Sequence, residues 1–450
     1  MRAPLPAAFG APGGSYRVET WGCQMNVLDG ERMAGQLEGL GLSRAPEGGA
    51  ADVVILNTCS VRDKADAKVY SALGVLAERK RENSDLVIGV AGCLAQVSGD
   101  EILERAPWVD FVLGTGNVEK VGEIVESVRR ERRQVAKLEL PRESPVYQFR
   151  QISRGSPFQA YLTVIEGCDQ FCTFCIVPFT RGRERCRRSA EILEETSWLV
   201  SRGYTEITLL GQTVNAYRDP DGGSGLGELL IRVAAVPGVQ RLRFLTSHPI
   251  FVDDPLIAAM AAGGNIAPYL HLPAQSGSDR VLFRMKRRYN RDDYLRTIER
   301  VRTEVPELAL SSDFIVGFPG ETEDDFRQTL DLVRQVRFAN VFAFLYSPRP
   351  GTASARWGSE KAVPAETASE RLQRLLALQE KIQTEINGSL VGRIFEVLIE
   401  GLDRQGQGRG RTPCNRIVHI RGAEKFARGS YARVKIVKGL PNSLLGEPAD

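Results

Sequence analysis

A run of three cysteines near the middle of the 450-residue chain carries the strongest chemical signal in the sequence. Cys168, Cys172 and Cys175 are separated by three and by two residues, and they directly follow a segment that predicts a strand. Three thiolates at this spacing can hold one face of a 4Fe-4S cluster and leave one iron without a protein ligand. S-adenosylmethionine can chelate such an iron, and an electron from the cluster can then cleave its sulfur to carbon bond. We therefore predict a radical-generating site that Phe171 and Phe174 shield from solvent.

Two other interpretations of this cysteine run are open. Cys186 could join the three thiolates in a structural zinc site, although zinc modules usually carry two CysXXCys pairs and this chain has one. The cysteines could also be buried and inert. A histidine-rich metal site is not expected, because His248, His271 and His419 lie far apart in the sequence.

A second set of three cysteines follows predicted strands in the first quarter of the chain. Cys23, Cys59 and Cys93 are 36 and 34 residues apart, and each comes just after a short apolar segment. Ligands in open α/β sheets gather outside the carboxyl ends of the strands, so these three thiols can converge in space. Taken alone, they can equally be small residues that pack at strand ends.

The elements that must position both sets predict an α/β protein of three domains. Strands at 16–19, 52–56, 86–90 and 109–113 alternate with helices and predict an N-terminal open parallel α/β domain over 14–131. A segment from 129 to about 158 resembles a linker. Six further strand and helix repeats predict a partial (β/α)6 barrel over 154–386. Alternating residues over 387–449 predict a small all-β, OB-like barrel.

Composition excludes several classes of protein. With 59 Lys and Arg against 56 Asp and Glu, the net charge of +3 is too small to indicate a nucleic-acid partner by itself. No apolar run approaches the roughly 20 residues of a membrane span. The first fourteen residues lack the apolar stretch of a signal peptide, so we predict a loose leader on a cytoplasmic chain. The sequence is compatible with a monomer.

The words around the cysteines identify a resemblance that covers the chain from about residue 15 to 445. CysXXXCysXXCys after the first barrel strand resembles the radical S-adenosylmethionine superfamily. The surrounding words resemble bacterial tRNA methylthiotransferases of the MiaB family, which make 2-methylthio-N6-isopentenyladenosine. They read TWGCQMN at 20–26, NTCSVRDKA at 57–65, EGCDQFCTFCIVPFTRG at 166–182, LLGQTVNA at 209–216, SHP at 247–249, HLPAQSGS at 271–278 and GFPGET at 317–322.

The resemblance implies a site for each set of cysteines. It implies that Cys168, Cys172 and Cys175 hold the radical-generating 4Fe-4S cluster and that the N-terminal three hold an auxiliary 4Fe-4S cluster. It also implies that S-adenosyl-L-methionine is both radical source and methyl donor, and that the methylthio group goes to C2 of the isopentenylated adenosine at position 37 of tRNA. The final barrel corresponds to the family's TRAM domain. The residues implied for cofactor binding are Gly211, Gln212, Ser312, Asp313 and Glu321.

Glycines and a threonine near the fifth barrel strand have an alternative, structural interpretation. Gly317, Pro319 and Gly320 also suit a tight strand-to-helix turn, with Thr322 as the helix cap. Cys186 and Cys414 are not expected to be cluster ligands, because the family commonly has Ser at the position of Cys186 and because Cys414 stands alone.

Two clusters of arginines are candidates for tRNA contacts. A solvated surface is the ordinary role of such runs, but beside a site that admits a polyanion they can hold phosphates. The C-terminal group has few aromatic neighbours, which suits recognition of folded RNA by shape and backbone. The residues are Arg181, Arg183 and Arg185 after the cysteine run, and Arg409, Arg411 and Arg416 in the C-terminal barrel.

Three alternatives to this function are open. A sibling methylthiotransferase that acts on threonylcarbamoyl-adenosine in tRNA, or on an aspartate of a ribosomal protein, would share both cysteine sets. The word TWGCQMN favours the isopentenyl enzyme, because the ribosomal sibling usually has TLGCPKN. A zinc-bearing RNA-binding module would be non-enzymatic. The electron donor, the sulfur donor and the set of tRNAs are not encoded in any recognisable pattern.

Overall fold

The computed structural model describes residues 14–46, 48–59, 64–143, 147–403, 405–422 and 425–449. The predicted leader falls on residues 1–13, outside this set, and on Gly14. The chain divides into two compact units: residues up to Gly155 with Phe179–Gly182, and Ser156–Pro178 with the chain from Arg183 onward. Within the described residues, no helix is both long enough and apolar enough to cross a membrane.

The described part of the first unit is a parallel sheet with helices on both faces. The sheet order is β2-β1-β3-β4-β5-β6, and all its strand pairs are parallel. One apolar core lies under α1 and α4 and the other under α2 and α3, which confirms the predicted open α/β domain. The elements are β1 (Ser15–Trp21), α1 (Gln24–Gly39), β2 (Ser43–Arg44), β3 (Val53–Thr58), α2 (Lys64–Glu82), β4 (Val87–Gly92), α3 (Cys93–Arg105), β5 (Phe111–Leu113), α4 (Val121–Glu131) and β6 (Val135–Lys137).

The interpretation of residues 129 to about 158 as a linker is wrong for part of that segment. Val135–Lys137 pairs with β5 as the last strand of the sheet, and Gly114 N donates a 2.7 Å hydrogen bond to the carbonyl of Lys137. A three-residue edge strand is too short to show an alternating pattern, so the sequence did not reveal it.

The second unit begins with six parallel strands in sequence order. They form two sheets, β7, β10 and β11 and then β12, β13 and β14. Leu242 joins the two sheets through backbone hydrogen bonds with Asn265 and Ala267. This arrangement confirms the partial (β/α)6 barrel. Its elements are β7 (Gln159–Thr163), β8 (Ile165–Glu166), α5 (Val177–Thr180), β9 (Arg185–Cys186), α6 (Ser189–Ser201), β10 (Glu206–Leu210), α7 (Leu226–Ala234), β11 (Arg241–Phe244), α8 (Asp254–Ala261), β12 (Tyr269–His271), α9 (Asp279–Met285), α10 (Arg291–Glu304), β13 (Ala309–Val316), α11 (Glu323–Val336), β14 (Asn340–Leu345) and α12 (Ala365–Gly388).

The turn after β13 has the chemistry expected of a strand-to-helix connection. Gly317 and Gly320 have φ values of 75° and 78°, which side chains disfavour. Thr322 Oγ1 accepts a 3.3 Å hydrogen bond from Asp325 N, and the Asp325 carboxylate accepts a 2.7 Å bond from Thr322 N. The capping box confirms the predicted role of Thr322 at the start of α11.

The C-terminal strands close into a small barrel. Among the described residues the order is β15-β16-β17-β19-β18, with Val397, Val418 and Val434 fully buried inside. The barrel confirms the OB-like prediction. The strands are β15 (Ile394–Leu402), β16 (Gly408–Arg411), β17 (Ile417–Ile420), β18 (Tyr431–Gly439) and β19 (Leu444–Pro448).

Buried charges join this small barrel to the (β/α)6 barrel within the second unit. Arg243 donates hydrogen bonds to the carbonyls of Thr412 (2.9 Å) and Pro413 (2.7 Å). Arg241 and Arg243 lie 3.5 and 3.3 Å from the Glu206 carboxylate. Because Glu206 and Arg241 begin β10 and β11, the small barrel covers the amino end of these strands, opposite the end that carries the cysteine run.

Candidate functional site

The loop from Cys168 to Cys175 lies at the carboxyl end of the first barrel strands. Cys168 and Cys172 are buried, and Cys175 is half-buried. Cys175 N donates a 3.0 Å hydrogen bond to the carbonyl of Cys172. Phe171, between the ligands, has a φ of 45°, a left-handed conformation that is uncommon for a bulky residue and that marks a constrained loop.

Hydrogen bonds from the opposite side of the barrel hold this loop in place. Thr173 donates from N to the carbonyl of Met285 (3.1 Å) and from Oγ1 to the carbonyl of Arg284 (2.9 Å). Its own carbonyl accepts from both N and Oγ of Ser354, each over 2.9 Å. Phe174 packs edge-on against Phe318 with ring centroids 6.5 Å apart. The cysteine loop is therefore fixed by its non-cysteine residues.

Two polar side chains contact the sulfurs directly. Arg287 is buried and donates from Nη1 to Cys172 Sγ over 3.5 Å and from Nη2 to the carbonyl of Pro273 over 3.0 Å. Thr213 Oγ1 lies 3.3 Å from Cys168 Sγ. In the sequence, Arg287 belongs to a basic run made of Arg284, Lys286, Arg287, Arg288 and Arg291, and nothing in that run singles it out. Only its burial distinguishes it from its exposed neighbours Lys286 and Arg288.

Two of the three thiols in this loop, Cys168 and Cys175, are poor acids on their own. Burial and the neighbouring Cys172 raise the pKa of Cys175 to about 12, and burial raises the pKa of Cys168. A cationic partner favours ionisation of Cys168 and Cys175, and an iron-sulfur cluster provides one on binding. The set of three thiols with a cationic hydrogen-bond donor at one sulfur fits such a cluster. The three thiols are not grouped around a single metal ion: in the described part of the chain, no three His, Cys, Asp or Glu side chains form a group that could hold one.

The cysteines of the first unit follow three neighbouring strands that end level with one another. The register aligns Trp21 of β1 with Thr58 of β3, and Thr58 with Gly92 of β4. Cys59 and Cys93 come one residue after these positions and Cys23 two residues after. The structure therefore brings the three to one edge of the sheet. Cys59 and Cys93 are buried and Cys23 is exposed.

A network of amides and hydroxyls surrounds this edge. Asn26 accepts a 3.3 Å hydrogen bond from Cys23 Sγ and donates one of 3.2 Å to the carbonyl of Thr58. Asn57 donates a 2.7 Å bond to the carbonyl of Asn26. A Cβ on Gly92 would lie 2.4 Å from the carbonyl of Thr58, so only glycine fits before Cys93. The backbone that carries the three thiols is thus held rigidly.

Arg181 and Asp29 form a buried ion pair in the first unit. Their closest atoms are 2.6 Å apart, and the side chains are 5% and 1% exposed. Burial raises the pKa of Cys93, and the cationic Arg181 opposes this shift. Arg181 was predicted to contact RNA. Its burial against a carboxylate instead gives it a role beside Cys93, because a paired, buried guanidinium does not reach a phosphate.

Alternation along β13 separates two residues that the resemblance grouped as cofactor contacts. Adjacent strand residues point to opposite faces of a sheet. Asp313 is partly exposed and lies 3.4 Å from His271 Nε2. Ser312 is fully buried, accepts from Ala274 N (2.9 Å) and donates to the carbonyl of Leu272 (3.0 Å). Asp313 can face a ligand, whereas Ser312 ties β12 to β13.

The other predicted cofactor residues also separate. Glu321 is buried, forms a 2.9 Å ion pair with Arg371 of α12 and accepts from Gly317 N, so it anchors a helix. Gly211 and Gln212 lie at the carboxyl end of β10, beside the cysteine loop. Gln212 Oε1 accepts a 2.6 Å hydrogen bond from Gly167 N. Contacts of Gly211 and Gln212 with the cofactor stay a prediction.

The predicted RNA-contacting arginines of the second unit differ in exposure. Arg185 is buried and pairs with Glu166 over 2.9 Å, so its predicted RNA contact is replaced by an internal one. Arg183 is 69% exposed and lies over the Phe171 ring. Arg411 donates to Glu400 over 2.9 Å and Arg416 to Asn387 Oδ1 over 2.7 Å.

Arg409 lines an open cleft on the C-terminal barrel. The cleft has a volume of 710 Å³, and its polar lining includes Gln407, His419 and Asn442. Asp403 Oδ2 lies 2.7 Å from His419 Nδ1. Of the three arginines predicted in this barrel, Arg409 therefore has the clearest access to a ligand.

Sequence reasoning named no role for His248. His248 N donates a 2.8 Å hydrogen bond to Asn215 Oδ1, and Asn215 Nδ2 donates to the carbonyl of His248 over 2.9 Å. Burial, followed by the cations Arg287 and Arg288, lowers the pKa of His248 to about 2, so its imidazole is neutral. The words SHP and LLGQTVNA, quoted for the resemblance, meet at this contact.

Comparisons with known proteins give the same division of the chain. Residues 15–114 match the family model "Uncharacterized protein family UPF0004", residues 162–333 match "Radical SAM superfamily", and residues 388–449 match "TRAM domain". A tRNA-2-methylthio-N(6)-dimethylallyladenosine synthase of Streptomyces griseus is 46% identical over 96% of this chain and 87% of its own length. The chain belongs to this synthase family.

Other relatives agree. The protein of the same name from Geobacter metallireducens is 45% identical over 96% of this chain and 98% of its own length. Among solved structures, the radical S-adenosylmethionine methyltransferase TsrM from Kitasatospora setae has a TM-score of 0.55 at 16% identity, covering 73% of this chain and 72% of its own. That likeness concerns the fold alone.

Proposed function

We propose that this chain transfers a methylthio group to C2 of N6-dimethylallyladenosine at position 37 of tRNA. Two sets of three cysteines, each at the carboxyl ends of parallel strands in its own unit, carry the proposal together with membership of the synthase family. A zinc-bearing RNA-binding module would not need two such sets.

The cysteines divide into two proposed cluster sites. Cys168, Cys172 and Cys175 would hold a radical-generating 4Fe-4S cluster, and Cys23, Cys59 and Cys93 an auxiliary one. When bound, the radical-generating cluster and S-adenosylmethionine would supply the radical and the methyl group, and the auxiliary cluster would carry the sulfur that is transferred. The protein's own residues orient and enclose these groups.

Named residues perform that work. Arg287 donates a hydrogen bond to Cys172 Sγ and restrains the sulfur, while Gln212 fixes the backbone at Gly167 before the first ligand. Asp313 faces the barrel interior, where we place a contact with the nucleoside cofactor. The neutral imidazole of His248 lies beside Tyr289, with ring centroids 5.7 Å apart, and keeps this wall of the site free of a further cation.

Exposed arginines would bind the tRNA. Arg183 beside the cysteine loop and Arg409 in the cleft of the C-terminal barrel are the accessible candidates. The target base must leave its stack to enter a barrel, and an anticodon loop permits this at low cost. The reaction also requires a separate electron donor and sulfur donor.

Nucleoside analysis of tRNA from cells that lack the protein tests this proposal. Loss of the methylthio group with retention of the dimethylallyl group, restored by the wild-type gene, is the expected result. A different result would assign the sibling activity. In that case the methylthio group stays on dimethylallyladenosine and is lost from threonylcarbamoyl-adenosine or from a ribosomal-protein aspartate.

A further inference from the structure

Two phenylalanines on the last barrel strand are exposed although the residue between them and the one before them are not. Phe342 is 45% and Phe344 is 39% exposed, whereas Val341 is 7% exposed and lies in the core. Helix α12 packs against β14 on the side of Val341. Since strand residues alternate between faces, both phenylalanine rings are on the opposite side, which faces the barrel interior.

The strands next to these rings carry a polar row on the same face. The register places Asp313 beside Phe342 and Ile315 beside Phe344. His271 contacts the Phe342 ring edge-on at 5.9 Å between centroids. The His271 ring nitrogens lie 2.8 Å from Ser311 Oγ and 3.4 Å from Asp313 Oδ1. The interior therefore has a polar row and, immediately beside it, an apolar strip formed by two aromatic rings.

Exposed apolar rings inside a substrate-binding barrel contribute to binding free energy when an apolar part of the substrate covers them. Two side chains two residues apart on one strand span roughly 7 Å, the scale of a short branched hydrocarbon. The substrate named for the relatives differs from ordinary adenosine by one such group, the five-carbon dimethylallyl chain on N6. Burying that chain against the exposed rings removes apolar surface from water and is favourable, whereas an unmodified adenosine leaves the rings exposed to solvent.

We infer that Phe342 and Phe344 form the apolar wall that contacts the dimethylallyl group and so distinguish prenylated from unmodified adenosine. This inference rests on the proposed function and names the specificity-determining residues of the same site. The polar neighbour His271, held by Ser311 and Asp313, suits the heteroatoms of the substrate nucleoside beside that wall.

Paired RNA ligands test the inference. Two anticodon stem-loops of identical sequence, one with N6-dimethylallyladenosine and one with adenosine at the target position, are bound to the reconstituted full-length protein, and the ratio of their Kd values is measured. Phe342→Ala and Phe344→Ala should each lower this preference at least tenfold, the low end of what lost apolar contacts contribute in a pocket. Phe342→Leu, which keeps an apolar side chain and replaces the Ala variant if that one fails to fold, should lower it less.

Control measurements separate the alternatives. Phe283→Ala removes the same ring from a site on α9 that is 86% exposed, and the preference should stay at the wild-type value. Cleavage of S-adenosylmethionine without RNA is measured in the Phe342 and Phe344 variants as well, because it reports on the cofactor and not on the prenyl group.

Two results would overturn the inference. An unchanged Kd ratio in both alanine variants would show that the rings do not contact the prenyl group, and loss of cofactor cleavage in folded, iron-loaded variants would assign them to the cofactor. A third result would count against the proposed function alone. In that case the wild-type protein prefers the dimethylallylated stem-loop in binding but forms methylthio product on neither stem-loop.

Discussion

Arg287 donates a hydrogen bond from Nη1 to the Sγ of Cys172 across 3.5 Å, from a position 115 residues further along the chain. Both side chains are buried, and Arg287 also binds the carbonyl of Pro273 and the hydroxyl of Tyr289. A cation fixed at one ligand of a cluster stabilises the more negative, reduced state. The basic run that contains Arg287 therefore has an interior member as well as exposed ones.

Replacing Arg287 by Met should make the cluster at the Cys168 loop harder to reduce. The loss of a charge-assisted hydrogen bond, worth about 1.5–3 kcal/mol, predicts a rate of S-adenosylmethionine cleavage at least about tenfold lower. A redox titration should show a more negative midpoint potential with iron content retained. Arg288→Met, which removes the adjacent exposed arginine, is the matched control and should leave the potential unchanged. Equal potentials in the two variants would refute this role.

Iron analysis addresses the number of clusters. Anaerobic reconstitution should give about eight iron atoms per chain if each set of cysteines carries a 4Fe-4S cluster. The triple variant Cys168→Ala, Cys172→Ala, Cys175→Ala should retain about four and should lose cleavage of S-adenosylmethionine altogether. An iron content that does not change in this variant would contradict the assignment of these ligands.

The N-terminal cysteines should affect the reaction differently. The triple variant Cys23→Ala, Cys59→Ala, Cys93→Ala keeps the barrel loop intact, so reductive cleavage of S-adenosylmethionine should remain measurable. Methylthio product from dimethylallylated tRNA should disappear, because this set would carry the auxiliary cluster. Cys186→Ala, outside both sets, is the control. If the triple variant forms product at the normal rate, the three are packing residues.

The positions of the cysteines could be predicted because they depend on local patterns. Strands with apolar residues followed by cysteine imply a place at the end of a sheet, and the parallel register of β1, β3 and β4 then brings Cys23, Cys59 and Cys93 to one edge. The fold class followed from the same alternation of strands and helices.

The roles of individual charged and polar residues could not be predicted, because they depend on tertiary contacts. Arg183 and Arg185 are two residues apart in one basic run, yet Arg183 pairs with Asp169 at the surface and Arg185 pairs with Glu166 in the interior. Ser312 and Asp313 are adjacent in the sequence, yet they point to opposite faces of β13. A motif indicates which segment lies near a site, and strand register decides which of its side chains enters it.

The buried contact between the two barrels of the second unit should contribute strongly to stability. Arg243→Leu removes a buried cation from Glu206 and leaves the carbonyls of Thr412 and Pro413 without their donor. We expect the free energy of unfolding to fall by about 3 kcal/mol, measured by urea denaturation. Arg300→Leu, which breaks an exposed ion pair with Asp254, should cost less than about 1 kcal/mol. Similar losses in both variants would contradict the anchoring role of Arg243.

The raised pKa of Glu321 should make the stability of the protein depend on pH. Burial raises the pKa of Glu321 to about 7 from its ordinary 4.5, against the opposing hydrogen bond from Gly317 N and the charge of Arg371. Between these values the folded chain keeps a proton that the unfolded chain has released, so the stability from Glu321 is fully present below pH 4.5 and is lost as the pH rises through about 7.

The measurement is the difference in unfolding free energy between wild type and Glu321→Gln across this range. The difference should fall as the pH rises, with a slope of at most about 1.4 kcal/mol per pH unit, because a single proton is involved. Glu323→Gln is the matched control, since Glu323 also contacts Arg371 but has a lowered pKa and should give a flat difference over the same range. A flat profile for Glu321→Gln as well would show that the Arg371 pair keeps Glu321 ionised in the folded protein.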